Sequence, residues 1–194
     1  MKINPFNKKV GIALGGGAAK GLAHIGVLKA FREKNIDIDF ISGTSAGALV
    51  ASYFAFNKAF KKLDHLPELL RAKTVMNFSL NKMGLMNTNS LEKLLRKDFG
   101  DVKIEDSHIP LAICTTNIHT GQSIFFRSGP LIPALCASVA IPGIVQPVTI
   151  SGQLLVDGGI SNNVPVDILT TMGAGITIGV NLNGVSEYPK VKSL

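Results

Sequence analysis

"DFISGTSAGALVAS", residues 39–52, contains the run Gly43-Thr44-Ser45-Ala46-Gly47. An apolar segment precedes it and a run of small and apolar residues follows. G-x-S-x-G between a strand and a helix marks a nucleophile elbow, a sharp turn that exposes a serine hydroxyl. The pattern is short, and a chain with 20 glycines offers chance matches. Ser45 is therefore judged by its surroundings.

Working outward, Val10–Leu14 is an apolar run ending in glycines and predicts a buried strand. Residues 21–34 predict a helix, with Leu22, Ile25, Leu28 and Phe31 at near-helical spacing. Residues 38–42 predict a second strand, and 46–56 a helix apolar nearly all round, hence mostly buried. Residues 57–100 are more basic and predict a helical lid or docking region, with Ser90 capping an amphipathic helix. Strands follow at 111–116 and 123–127 around a Thr120-Gly121 turn, and at 147–150 and 153–156 around Ser151-Gly152. Helices at 133–139 and 165–172 and a strand at 176–182 complete the pattern. Alternating strands and helices imply an α/β fold with helices on both faces of a sheet. A length of 194 residues implies one domain.

Composition narrows the function classes. The chain is 46% hydrophobic and 17% charged, which excludes a disordered protein. No apolar run approaches the roughly 18 residues of a membrane span, and MKINPFNKKV lacks the apolar core of a signal peptide. A cytoplasmic protein is expected, placed peripherally at the inner face of the membrane if its charge has a lipid partner. The net charge of +7 suits an anionic lipid surface. Nucleic acid is a poorer partner, because no tryptophan and two tyrosines make no stacking platform. Cys114 and Cys136 have neither zinc nor C-x-x-C spacing and read as buried thiols. Asp37-x-Asp39 begins like a calcium loop, but Ser42 falls where its glycine belongs. No metal or cofactor is expected.

Three chemistries compete for Gly15-Gly16-Gly17-Ala18-Ala19-Lys20-Gly21. A P-loop would need lysine after Gly21, where Leu22 stands, and a dinucleotide fingerprint would need glycine in place of Lys20. The third is an oxyanion hole, in which small residues let backbone amides converge at a helix N-terminus. Beside G-x-S-x-G this third reading is preferred, since acyl transfer needs both parts. A serine nucleophile also needs a base. His24, His65, His108 and His119 all precede Asp157, so the order Ser, acid, His is impossible with that acid. His24 reads as a packed or capping residue. Asp157 ends the apolar run Leu154-Leu155-Val156 and is followed by Gly158-Gly159, which allow a neighbouring chain to approach. It is a candidate to take the Ser45 proton directly.

"GGGAAKGLAHIGVLKAF", "GTSAGALVAS", "FFRSGPLIPALCASVAIPG" and "LLVDGGISNNVPVD", in that order, resemble the patatin-like phospholipases of the small bacterial type, from about residue 10 to 183. The resemblance implies a three-layer α/β/α fold and a lipid acyl hydrolase with a Ser–Asp dyad, no metal and no histidine base. It maps the nucleophile to Ser45, its partner to Asp157 and the oxyanion loop to Gly15, Gly16, Gly17 and Ala18. Lys20, Gly43, Gly47, Gly158 and Gly159 match supporting positions of the motifs. Ala18 departs from the pattern, which has glycine there. An alanine amide serves equally well unless the backbone demands a positive φ. The same site could serve a thioesterase or acyltransferase, or stand idle in a lipid-surface binding module.

Overall fold

The structure is a computed structural model and describes residues 8–57 and 87–184. β1 (Val10–Leu14) enters a 3₁₀ turn (Ala18–Leu22) and α1 (Ala23–Glu33), then β2 (Phe40–Thr44) and α2 (Ala46–Ala55). After the residues left undescribed come α3 (Asn89–Phe99), β3 (Leu111–Asn117), β4 (Ser123–Phe126) and α4 (Leu131–Ser138). β5 (Val148–Ile150), β6 (Gln153–Asp157), α5 (Asp167–Thr171) and β7 (Ile176–Val180) follow.

β1 pairs in parallel with β2 and β7, and β2 with β3. β4 and β6 run antiparallel to β3, and β5 antiparallel to β6. β1 and β2 are buried along their whole lengths, as strands covered on both faces must be. Their side chains alternate between two cores. Ile12, Leu14 and Ile41 face the larger one, with Leu28 of α1 and Leu49 of α2. Ala13 and Phe40 face the smaller one, with Leu169 of α5. Helices therefore cover both faces, giving the three layers expected. α2 is buried at every position but Phe54. Its Tyr53 hydroxyl donates to Asp98 of α3 at 2.5 Å, and its ring meets Phe99 edge-on.

Several boundaries differ from the sequence reading. β2 starts and ends two residues later than expected, running through Thr44 up to the elbow. Ser90 lies inside α3; Thr88 is the cap residue and makes no side-chain cap bond. The first turn is closed instead by the Asn87 side chain, which accepts from the Asn89 amide at 3.1 Å. α4 begins two residues earlier than expected, directly after Pro130. The expected lid or docking region, 57–100, falls largely on undescribed residues; Lys93 and Lys97 are exposed on α3.

One feature of the pairing decides where chemistry can occur. Cys114 pairs with Thr44 of β2 and Phe125 of β4. Thr115 pairs with Ile124 of β4 and Asp157 of β6. A strand has two edges and β4 occupies one of them. β2 and β6 therefore share the other, end to end. β2 runs parallel to β3 and β6 antiparallel, so their C-terminal ends meet beside the 114–115 peptide.

Candidate active site

Ser45 stands where β2 ends. Its backbone is at φ 54 and ψ −123, a left-handed conformation that non-glycine residues seldom adopt, and α2 begins at the next residue. The turn is tight on both sides. A Cβ on Gly43 would lie 2.6 Å from the backbone of Ala48, and one on Gly47 would fall on the Leu14 carbonyl oxygen. Neither position has room for a side chain. Ser45 is partly exposed while its neighbours in the strand and helix are buried. The N-terminal end of α2 turns its positive potential toward it.

Asp157 ends β6 and is 6% exposed. The Ser45 side chain lies close enough to its carboxyl to favour the charged form, and the Gly159 amide donates to Oδ1 at 2.7 Å. Burial raises the carboxyl pKa above its ordinary value, and these two neighbours only partly offset that. A more basic carboxylate is better suited to accept a hydroxyl proton. Gly158 permits the close crossing: a Cβ there would be 2.5 Å from the Cys114 carbonyl oxygen.

The glycine loop meets the same point. A Cβ on Gly16 would stand 3.3 Å from Ser45 Cβ and 2.7 Å from Asn163 Oδ1. The four loop amides are not equivalent. Gly15 N–H donates to Val180 O at 3.0 Å and Gly16 N–H to Asn163 O at 3.2 Å, so neither is free to bind an anion. Gly17 and Ala18 amides have no hydrogen-bond partner among the described residues. Ala18 adopts φ 47, the positive value that glycine would accept without strain. Lys20 is exposed at the end of the loop.

The remaining candidates lie elsewhere. His24 is fully buried, and its Nε2 donates to Gly15 O at 2.7 Å. It is a packed residue under the loop, and burial lowers its pKa. His108 and His119 are exposed, and His65 lies outside the described residues. Burial pushes the Cys114 thiol up to about 12 and that of Cys136 up to about 11, so both are protonated and unreactive near neutrality. A cleft of about 540 Å³ is lined by Leu111, Arg127 and Met172 among others; Leu111 begins β3, so the cleft lies at the end of that strand remote from the dyad.

Two residues without an assigned role in the sequence reading complete the site. Ser138, fully buried at the end of α4, accepts from the Ser45 amide at 2.8 Å. Asn163 pairs with Gly16 through its carbonyl and lies against Gly159 as well. Both fall inside quoted motif blocks, which was the only signal available. Nothing local distinguishes them from their neighbours.

Residues 12–170 match the family described as patatin-like phospholipase. The chain is 36% identical over 184 residues to an uncharacterized NTE family protein of Mycobacterium bovis, covering 93% of this chain and 51% of that protein. It is 32% identical over 189 residues to the lysophospholipase NTE1 of Yarrowia lipolytica, covering 92% of this chain and 13% of that protein. The chain thus spans about half the length, or much less, of these relatives. Among solved structures it resembles VipD from Legionella pneumophila with a TM-score of 0.58 at 16% identity, over 81% of this chain and 47% of that one. This last likeness concerns the fold alone.

Proposed function

The chain belongs to the patatin-like phospholipase family, and from that premise we propose that it is a serine hydrolase of lipid esters in which Ser45 is the nucleophile and Asp157 the base. The observation that carries the reading is a partly exposed Ser45 on a positive-φ elbow beside a buried, pKa-raised Asp157, where two strands meet end to end.

Asp157 accepts the hydroxyl proton as Ser45 Oγ attacks the ester carbonyl carbon. The oxygen that gains the charge is received by the Gly17 and Ala18 amides, the two of the four that have no partner among the described residues. Gly15 and Gly16 hold the loop against Val180 and Asn163 instead. Protonated Asp157 returns its proton to the leaving alcohol as the carbon–oxygen bond breaks. Water then adds to the acyl-serine with Asp157 again as base, releasing the fatty acid. The step needs no histidine, and His24 is turned toward Gly15.

A lipid substrate is supported by the surface near the dyad. Ile160 is 63% exposed, three residues past Asp157, and Ile141 is 41% exposed, next to the Ala140 that bonds the Asp157 amide. Exposed aliphatic residues beside a polar site suit a hydrocarbon-bearing ester. A peripheral anionic membrane is the proposed partner, met by the net positive charge. Among the described residues no helix is long and apolar enough to cross a membrane.

The test is active-site labelling with a fluorophosphonate, together with hydrolysis of a short soluble ester and of phospholipid vesicles. Ser45→Ala should abolish labelling. Ser45→Ala and Asp157→Asn should each lower hydrolysis by roughly a thousandfold or more, because the pair acts as a unit. An Asp157→Asn protein that keeps most of the parent rate would overturn the dyad.

A further inference from the structure

We propose that residues 138–140, at the end of α4, form a two-point clamp that sets the spacing of Ser45 and Asp157, with Ser138 as the positioning residue. The inference rests on the dyad reading above and adds a component outside the motif residues assigned to it.

The clamp follows from what each atom can do. The Ser45 N–H lies beyond the β2–β3 register, which ends at Thr44 paired with Cys114. It is taken by Ser138 Oγ at 2.8 Å. Ser138 Oγ is also 2.7 Å from the Cys114 carbonyl oxygen. An amide can only donate and a carbonyl can only accept, while a hydroxyl has one proton and two lone pairs. A single arrangement fits: Ser138 donates to Cys114 and receives from Ser45. Two residues on, the Ala140 carbonyl accepts from the Asp157 amide at 2.9 Å. One short segment thus bonds the backbone of both dyad residues. Ser138 and Ala140 are both 0% exposed, so water does not compete for these bonds.

The need for a clamp lies in the elbow. The positive φ of Ser45 is strained, and such a conformation persists only where its surroundings over-determine it. Without the Ser138 hydroxyl, the Ser45 N–H and Cys114 C=O both lose a buried partner, and the elbow can relax away from Asp157. A displacement near 1 Å at a reacting atom lowers rates by about a hundredfold in other enzymes.

The experiment compares the parent with Ser138→Ala and Ser52→Ala. Ser52 is equally buried, but among the described residues its hydroxyl bonds Ala48 O within α2, at 2.8 Å, rather than either dyad residue. In Ser138→Ala, fluorophosphonate labelling of Ser45 should slow by about tenfold or more, and kcat on a short soluble ester should fall with KM little changed. Ser52→Ala should label at the parent rate. Amide hydrogen exchange in the parent protein reads the geometry without any variant: the Ser45 and Asp157 amides should exchange as slowly as the buried amides of β2. Folded Ser138→Ala labelling at the parent rate, an equal slowing in Ser52→Ala, or rapid exchange of the parent Ser45 amide would each overturn the clamp. Absence of labelling at Ser45 in the parent would instead remove the dyad reading, and the exchange result would still judge the clamp.

Discussion

Replacing Ala18 by glycine should stabilise the protein, although glycine ordinarily does the reverse. Ala18 is held at φ 47. A residue with a Cβ in left-handed backbone costs roughly 1–2 kcal/mol. Ala18 is exposed, so deleting its methyl group uncovers little apolar surface. Against the relief stands the greater freedom of glycine in the unfolded chain, roughly 0.4–1 kcal/mol. The balance is a net gain of about 0.5–1 kcal/mol. Ala19 supplies the control. It is also exposed and does not have a positive φ. Ala19→Gly therefore carries only the unfavourable part, roughly 0.4–1 kcal/mol. The gap between the two variants, about 1–2 kcal/mol, is free of the unfolded-state contribution because that contribution is common to both. At about 2–4 °C per kcal/mol for a chain of this size, the midpoints should differ by roughly 2–8 °C. Scanning calorimetry of both variants in one buffer measures this. Ala18→Gly keeps the amide proposed to receive the oxyanion, so its hydrolysis of a soluble ester should match the parent. An Ala18→Gly midpoint at or below that of Ala19→Gly would refute the strain argument.

Asp157→Asn should be inactive yet more heat-resistant at neutral pH. The folded state holds the Asp157 proton more tightly than the unfolded chain, so parent stability falls as pH rises from the ordinary value of 3.8 through the raised folded one. Thermal scans should show the advantage of the asparagine variant vanishing below that ordinary value, and an advantage that persists there would contradict the sign. His24 works the other way: burial lowers its folded pKa, so its contribution is complete above 6.5 and is lost as pH falls below that. His24→Gln retains an N–H donor for Gly15 O, and should flatten the acid limb of stability while leaving the chemical step largely intact. A several-hundred-fold rate loss in a folded His24→Gln protein would reveal a missed base. Ile160→Asp should impair hydrolysis of anionic vesicles and spare that of a short soluble ester; equal losses on both would remove this residue from the lipid-facing surface.

Much of the fold was legible because its signals are local. The run Val10–Leu14 and the nearly all-apolar helix after Ser45 could be read directly, since burial on both faces leaves no polar alternation. The elbow was legible because Gly43 and Gly47 stand where no side chain fits. Asp157 stood out as a lone carboxylate after an apolar strand, before two glycines. Boundaries set by tertiary pairing were not legible: β2 continues to Thr44 because Cys114 is there to pair with it, and Ser90 lost its capping role to a helix start two residues earlier. Asp157 was already a candidate partner of Ser45 from its place after an apolar strand, and the family resemblance singled it out. Physically, their proximity arises because β2 and β6 occupy successive halves of one β3 edge, and strand pairing depends on contacts between segments far apart in the chain. The same holds for the oxyanion loop. Four adjacent small residues look alike in sequence, and only packing against Val180 and Asn163 takes up two of their amides and leaves those of Gly17 and Ala18 without a partner among the described residues.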